Sequence, residues 1–118
     1  VVGVQVNTQS RAYDWIELEK VRIINDVLDN QPLAVTLSSD SASFFVYNRV
    51  LDSDTLSFSL SQSAQHFMDD KTGSMWNWNG TCVDGSLKGK KLETLPAYQE
   101  YWHSWRTFRP QTTRYQLP

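Results

Sequence analysis

The sequence predicts an α+β domain that is mainly β: a curved antiparallel sheet or small open barrel with one C-terminal amphipathic helix packed on it. Three observations carry that expectation. Short apolar runs rich in β-formers recur through most of the chain, clusters of Gly, Asn, Asp and Pro separate them, and a sustained helical period shows only near the end, as an aromatic stripe. The 118 residues suit a single domain over 1–118, long enough to bury roughly two-thirds of its unfolded surface in one core.

Taken in order, Val2, Val4 and Val6 alternate with Gly3 and Gln5, the pattern of a strand with one buried face. A turn at Thr8 to Ser10 leads to a second short strand at Arg11, Ala12 and Tyr13, and Trp15, Leu18 and Val21 then fall at the spacing of a short helix. Ile23 and Ile24 run through Asn25 and Asp26 into the turn formers Asp29 to Pro32, a hairpin into the stretch Leu33 to Arg49. That stretch, LAVTLSSDSASFFVYNR, is two β-forming runs around a loop of small polar residues. After a turn at Leu51 to Asp54, Leu56, Phe58 and Leu60 alternate with Ser57 and Ser59 as a half-buried strand. Gln65 to Met68 is a further strand, closed by Asp69 to Gly73, whose aspartates read as turn caps because the spacing of a calcium loop is absent.

Asn79 and Gly80 lie between the apolar runs Met75 to Trp78 and Thr81 to Val83, a hairpin signal that also spells a glycosylation sequon with Thr81. A helix is expected from about Pro96 to Phe108, since Tyr98, Tyr101, Trp102, Trp105 and Phe108 recur at steps of three and four, with Pro110 just past its end. The stripe reads as core packing against the sheet.

Composition narrows the function classes. A net charge of −2 from interleaved signs gives no field to steer a polyanion, so nucleic acid is not an expected partner. No apolar run is long enough to span a membrane. The single cysteine, Cys82, permits no intrachain disulfide and sits in an apolar strand as an inert thiol. The first residues, VVGVQV, are already in a strand pattern, so the protein is either cytosolic or has a leader, anchor or neighbouring domain outside this sequence. In the loop, Ser38, Ser39, Asp40 and Ser41 offer hydroxyls and one carboxylate without a histidine or cysteine to activate them. A Ser38, His66 and Asp69 triad is the one nucleophilic arrangement on offer, and no nucleophile motif supports it.

An ordered series of short motifs adds to this reading: Gly3 and Val4 before Arg11, Ala12 and Tyr13; Asn25 and Asp26 ahead of Pro32; Val35 and Thr36, with Arg49 closing the next strand. It continues through Asp69, Thr72, Gly73, Ser74 and Trp76, Gly80 and Gly85, then Leu87, Gly89, Lys90 and Leu92, and ends on Trp102, Trp105, Arg106 and Pro110. In these features the chain resembles a largely bacterial family known as domain of unknown function 3179, with a middle section, Ser53 to Gln65, a few residues shorter than the family pattern. That pattern carries a Cys-Pro-Leu-Cys run after the Val-Thr pair and a His-Glu pair before the Asn-Asp. Here Ser38 and Ser41 stand at the cysteine positions, and Val21 and Arg22 at the His-Glu positions. A serine hydroxyl cannot replace a thiolate as metal ligand or redox partner, so neither metal nor cofactor is expected.

The first functional expectation is a non-catalytic structural or interaction module, acting as a subunit of a larger extracytoplasmic assembly with other proteins as partners. The resemblance implies export or a lipoprotein-like tether, hence a periplasmic or cell-surface setting and a longer exported precursor. The alternative is a small-ligand or carbohydrate-binding domain in which Trp76 and Trp78 stack on a ring while Asp40, Arg49 or Asp69 orients it. An enzyme with a relocated site is the third. Arg49 and Asp69 are also expected to pair and pin the loop to the next hairpin, with Arg11 as the alternative partner.

Overall fold

The computed structural model describes residues 1–118. Strand β1 (Val2–Val6) turns at Asn7, whose φ of 54° is left-handed, and pairs antiparallel with β2 (Gln9–Tyr13). Asp14 then caps helix α1 (Trp15–Val21), its carboxylate accepting from the Ile16 and Glu17 amides at 2.8 and 3.2 Å. Strands β3 (Ile23–Leu28) and β4 (Gln31–Leu37) form the longest hairpin, with Asp29 and Asn30 at φ 49° and 63° in a two-residue turn. Two left-handed residues in succession match the right-handed twist of the flanking strands.

Strand β5 (Phe44–Asn48) continues this sheet, and a small hairpin of β6 (Val50–Leu51) and β7 (Asp54–Thr55) follows. A second antiparallel sheet takes β8 (Phe58–Leu60), β9 (Phe67–Asp69), β10 (Met75–Trp76) and β11 (Cys82–Asp84) in sequence order. The chain then returns: β12 (Thr94–Leu95) adds to the free edge of β5, and β13 (Ala97–Gln99) adds to β1. Helix α2 (Trp102–Phe108) and β14 (Thr113–Arg114), which pairs parallel to β2, complete the fold.

The sheet ordered β12-β5-β4-β3 is buried on both faces. Leu33, Val35 and Leu37 point into one core with Val2, Val4 and Tyr13 of the β1–β2 sheet and Leu18 of α1. Ala34 and Tyr47 point the other way, into a core with Phe58, Phe67, Trp76 and Cys82. This is why LAVTL reads as an unbroken apolar run instead of an alternating one. The fold is thus mainly β, as expected, with the strands divided among three four-stranded sheets and the two-stranded β6–β7 hairpin.

Four expectations need correction. The last helix begins at Trp102, because Leu95, extended before proline, and the residues after Pro96 are strands. Pro96, with no N–H to donate, makes the corner at which one extended segment leaves the β5 sheet and joins β1. The aromatic stripe dissolves with the shorter helix: Trp105 is fully buried, whereas Tyr98, Tyr101 and Phe108 are 49, 85 and 78% exposed. Leu60 ends the outer strand β8 and is exposed, unlike Leu56 and Phe58 of the same alternation. Lastly, Arg49 and Asp69 do not pair, since each finds closer partners of its own, and Arg11 pairs with Asp26 at 2.7 Å.

Candidate functional site

The loop between β4 and β5 is the part of the chain with the densest small polar chemistry. Ser38 donates its hydroxyl to Asp40 Oδ1 at 2.6 Å and accepts the Ser43 amide at 3.0 Å, while Asp40 Oδ1 also takes the Ala42 amide. The Ser38 hydroxyl, followed by the Ala42 amide, holds the Asp40 carboxyl below its ordinary pKa. Ser41 adopts a left-handed φ of 58°, which lets its amide close back on the Ser38 carbonyl at 2.8 Å. The loop is therefore a self-bonded turn, as serine and aspartate favour when their side chains reach nearby backbone.

Arg22 completes it. The residue after α1, also left-handed with φ 68°, swings its guanidinium across to donate to the Ser38 carbonyl at 2.6 Å and the Ser41 hydroxyl at 2.9 Å. The two segments singled out by the resemblance, Val21–Arg22 and Ser38–Ser41, are thus adjacent in space, although sixteen or more residues separate each bonded pair in sequence. The assembled group is a guanidinium, hydroxyls and a carboxylate. Nowhere do three or more His, Cys, Asp or Glu side chains converge as a metal would require.

The other candidate residues lie in the framework. Asp69 and Trp76 are both fully buried and bonded to each other, the indole Nε1 donating to Asp69 Oδ2 at 3.0 Å. Thr72 supplies its amide at 2.6 Å and its hydroxyl to the same carboxylate. Arg49 spends its guanidinium on three backbone carbonyls, Leu33, Leu56 and Asp26, at 2.8 to 3.0 Å. Trp78 packs on Phe67 at 5.4 Å between ring centres, and its carbonyl accepts the Tyr47 hydroxyl. None of the five surface clefts is lined by Asp40, Arg49, Asp69, Trp76 or Trp78. A ring could stack on Trp76 only if the second core opened.

The triad of Ser38, His66 and Asp69 is not assembled: the Ser38 hydroxyl goes to Asp40, and the Asp69 oxygens go to Thr72 and Trp76. Sequence reasoning passed over two polar groups that the structure makes central. Asn25 bridges sheets by giving Nδ2 to the Phe58 carbonyl and taking the Phe58 amide on Oδ1. Asp26 holds both the Tyr13 hydroxyl and Arg11 at 2.7 Å, and burial together with that carboxylate pushes the Tyr13 phenol upward. The signal was present, since Arg11, Tyr13, Asn25 and Asp26 are all motif residues, but a contact across sheets has no spacing to betray it.

A family model described as protein of unknown function (DUF3179) matches residues 1–112 of the chain. Neither a curated protein nor a solved structure matches it.

Proposed function

The chain belongs to the DUF3179 family, and from that premise we propose that it is a non-catalytic member, an interaction or structural module serving as a subunit of a larger extracytoplasmic assembly. One observation carries this reading: the polar groups that could do chemistry are consumed by the fold. Ser38 and Asp40 satisfy each other, Arg22 caps their loop, Arg49 ties three backbone carbonyls, and Asp69 holds Trp76 and Thr72. A nucleophile bonded to a carboxylate with no imidazole at hand gains nothing from its neighbour in acyl transfer. The extracytoplasmic setting rests on the family resemblance.

The test has two arms. Purified protein is assayed against ester, phosphoester and glycoside reporters and analysed for bound zinc, copper and calcium. The expected outcome is no turnover above that of a Ser38→Ala/Asp40→Ala variant and no stoichiometric metal. Turnover abolished by that variant, or metal lost on changing Asp40 or Ser41, overturns the reading. Fractionation of cells making the full natural reading frame should place the protein outside the cytoplasm.

A further inference from the structure

Two clefts of about 300 and 290 Å³ adjoin along the side of the β1–β2 hairpin, sharing Thr8, Ser10 and Gln111, so that they form one groove between that hairpin and the segment after α2. From its lining we propose that this groove binds a saccharide, with Gln111, Thr8 and Ser10 meeting ring hydroxyls and Phe108 flanking one sugar face. The inference goes beyond the module reading and does not depend on it.

The lining is made of amides and hydroxyls, Gln5, Thr8, Ser10 and Gln111 with Gln9 and Thr113 further along, and it holds no carboxylate and no lysine. Each such side chain both donates and accepts, which is what a sugar hydroxyl requires of its partner. Several are pre-set. Gln9 is fixed by its bond to Asp29, Thr113 bonds the Ser10 carbonyl, and Gln5 accepts from Arg109 Nε at 3.3 Å. Arg109 is itself held, its guanidinium 3.8 Å from the centre of the buried Trp105 ring. The hydroxyls of Thr8 and Ser10 and the side-chain amide of Gln111 make no hydrogen bond within the protein, and all three residues line both clefts.

Beside them Phe108 is 78% exposed, a large apolar ring at the end of α2, the helix whose Trp105 indole is fully buried. An apolar ring next to a row of neutral hydrogen-bonding groups matches a pyranose, which is apolar on its C–H faces and polar at its edge. A metal ion would find no anionic ligand here, and a lipid chain would find too little apolar wall. Arg109, as the one charged group, decides whether an acidic sugar is favoured over a neutral one.

The experiment titrates isotope-labelled protein with maltohexaose, xylohexaose, chitohexaose and an oligogalacturonate, followed by amide shifts and calorimetry. At least one should bind, with shifts confined to Gln5, Thr8, Ser10, Gln111 and their neighbours. Phe108→Ala and Gln111→Ala should each weaken it by about tenfold, equivalent to roughly 1.4 kcal/mol. Both positions are exposed, so both variants should fold, and Val83→Ser in the other outer sheet should bind normally. Preference for the oligogalacturonate that disappears in Arg109→Gln would assign the acidic class. No binding by any of the four at millimolar concentration, or binding untouched by both Phe108→Ala and Gln111→Ala, overturns the proposal.

Discussion

Asp69 is a carboxylate with no solvent contact, and burial on its own would favour the neutral acid. The hydrogen bonds from Trp76 and from Thr72 outweigh that desolvation and leave its pKa below the ordinary value. The sign of the consequence follows from linkage. A pKa lowered in the folded state means that the ionised group stabilises the fold above about pH 4, and that this stability is lost as pH falls through the depressed folded value. Unfolding midpoints measured between neutral pH and pH 2 should therefore drop more steeply for the wild type than for Asp69→Asn, which is already less stable at neutral pH. Parallel pH profiles would show that the carboxylate is not the titrating group. Arg49 offers the complementary case: Arg49→Ala leaves three carbonyls without their donor and should cost about 3 kcal/mol in denaturant unfolding. Lysine, with one point of charge in place of a fork, should recover only part of it. The true partners of these two residues were not legible in sequence because opposite charge is a weak guide. Each formed stronger bonds to backbone and indole groups, which composition does not count.

Among the elements, α2 and the strands before it show how far periodicity can be taken. The aromatic spacing from Tyr98 to Phe108 fits a helix, yet Pro96 and pairing with β1 hold its first part extended. Intrinsic period lost to the hydrogen bonds of a sheet edge. What survives is Trp105, whose indole rests on Gly3 so closely that a Cβ there would collide with the ring. Trp105→Ala should thus cost about 3–5 kcal/mol, because it empties a fully buried site, while Tyr101→Ala should stay within about 0.5 kcal/mol. Trp102→Ala should fall between, since Trp102 is half-buried with Arg106 and Arg114 lying 6.0 and 4.9 Å from its ring. Equal melting temperatures for the Trp105 and Tyr101 variants would refute the assignment. Other elements were readable from local chemistry alone: β1, the Asp14-capped α1 and the β3–β4 hairpin each carry their own signal within a few residues. The Asn79–Gly80 turn was readable too, although Asn77 organises it by accepting the Asn79 and Thr81 amides on its side chain.

Across the whole molecule, the β4 sheet faces both cores, so neither core can be lost while the other keeps its wall. That arrangement was the least legible feature, because layer order depends on which strands meet after long returns of the chain, as β12 and β13 do. It predicts that unfolding is a single cooperative transition, in which probes of the two cores coincide. The first core can be followed through Tyr13 and the second through Trp76. Asn25 is the group that tests the idea most sharply, since its amide forms both bonds that join β3 to Phe58 of the outer sheet, at 2.8 and 2.9 Å. Asn25→Ala leaves the Phe58 amide and carbonyl without that partner and should lower stability by about 2 kcal/mol. If the shared central sheet enforces cooperativity, the two probes should still move together at the lower midpoint. Were they to separate, with the Trp76 signal lost first, the outer sheet would be a dependent unit held on by this side chain and the apolar contact beneath it. Equality of the calorimetric and van't Hoff enthalpies in the variant is the measurement that decides between these outcomes.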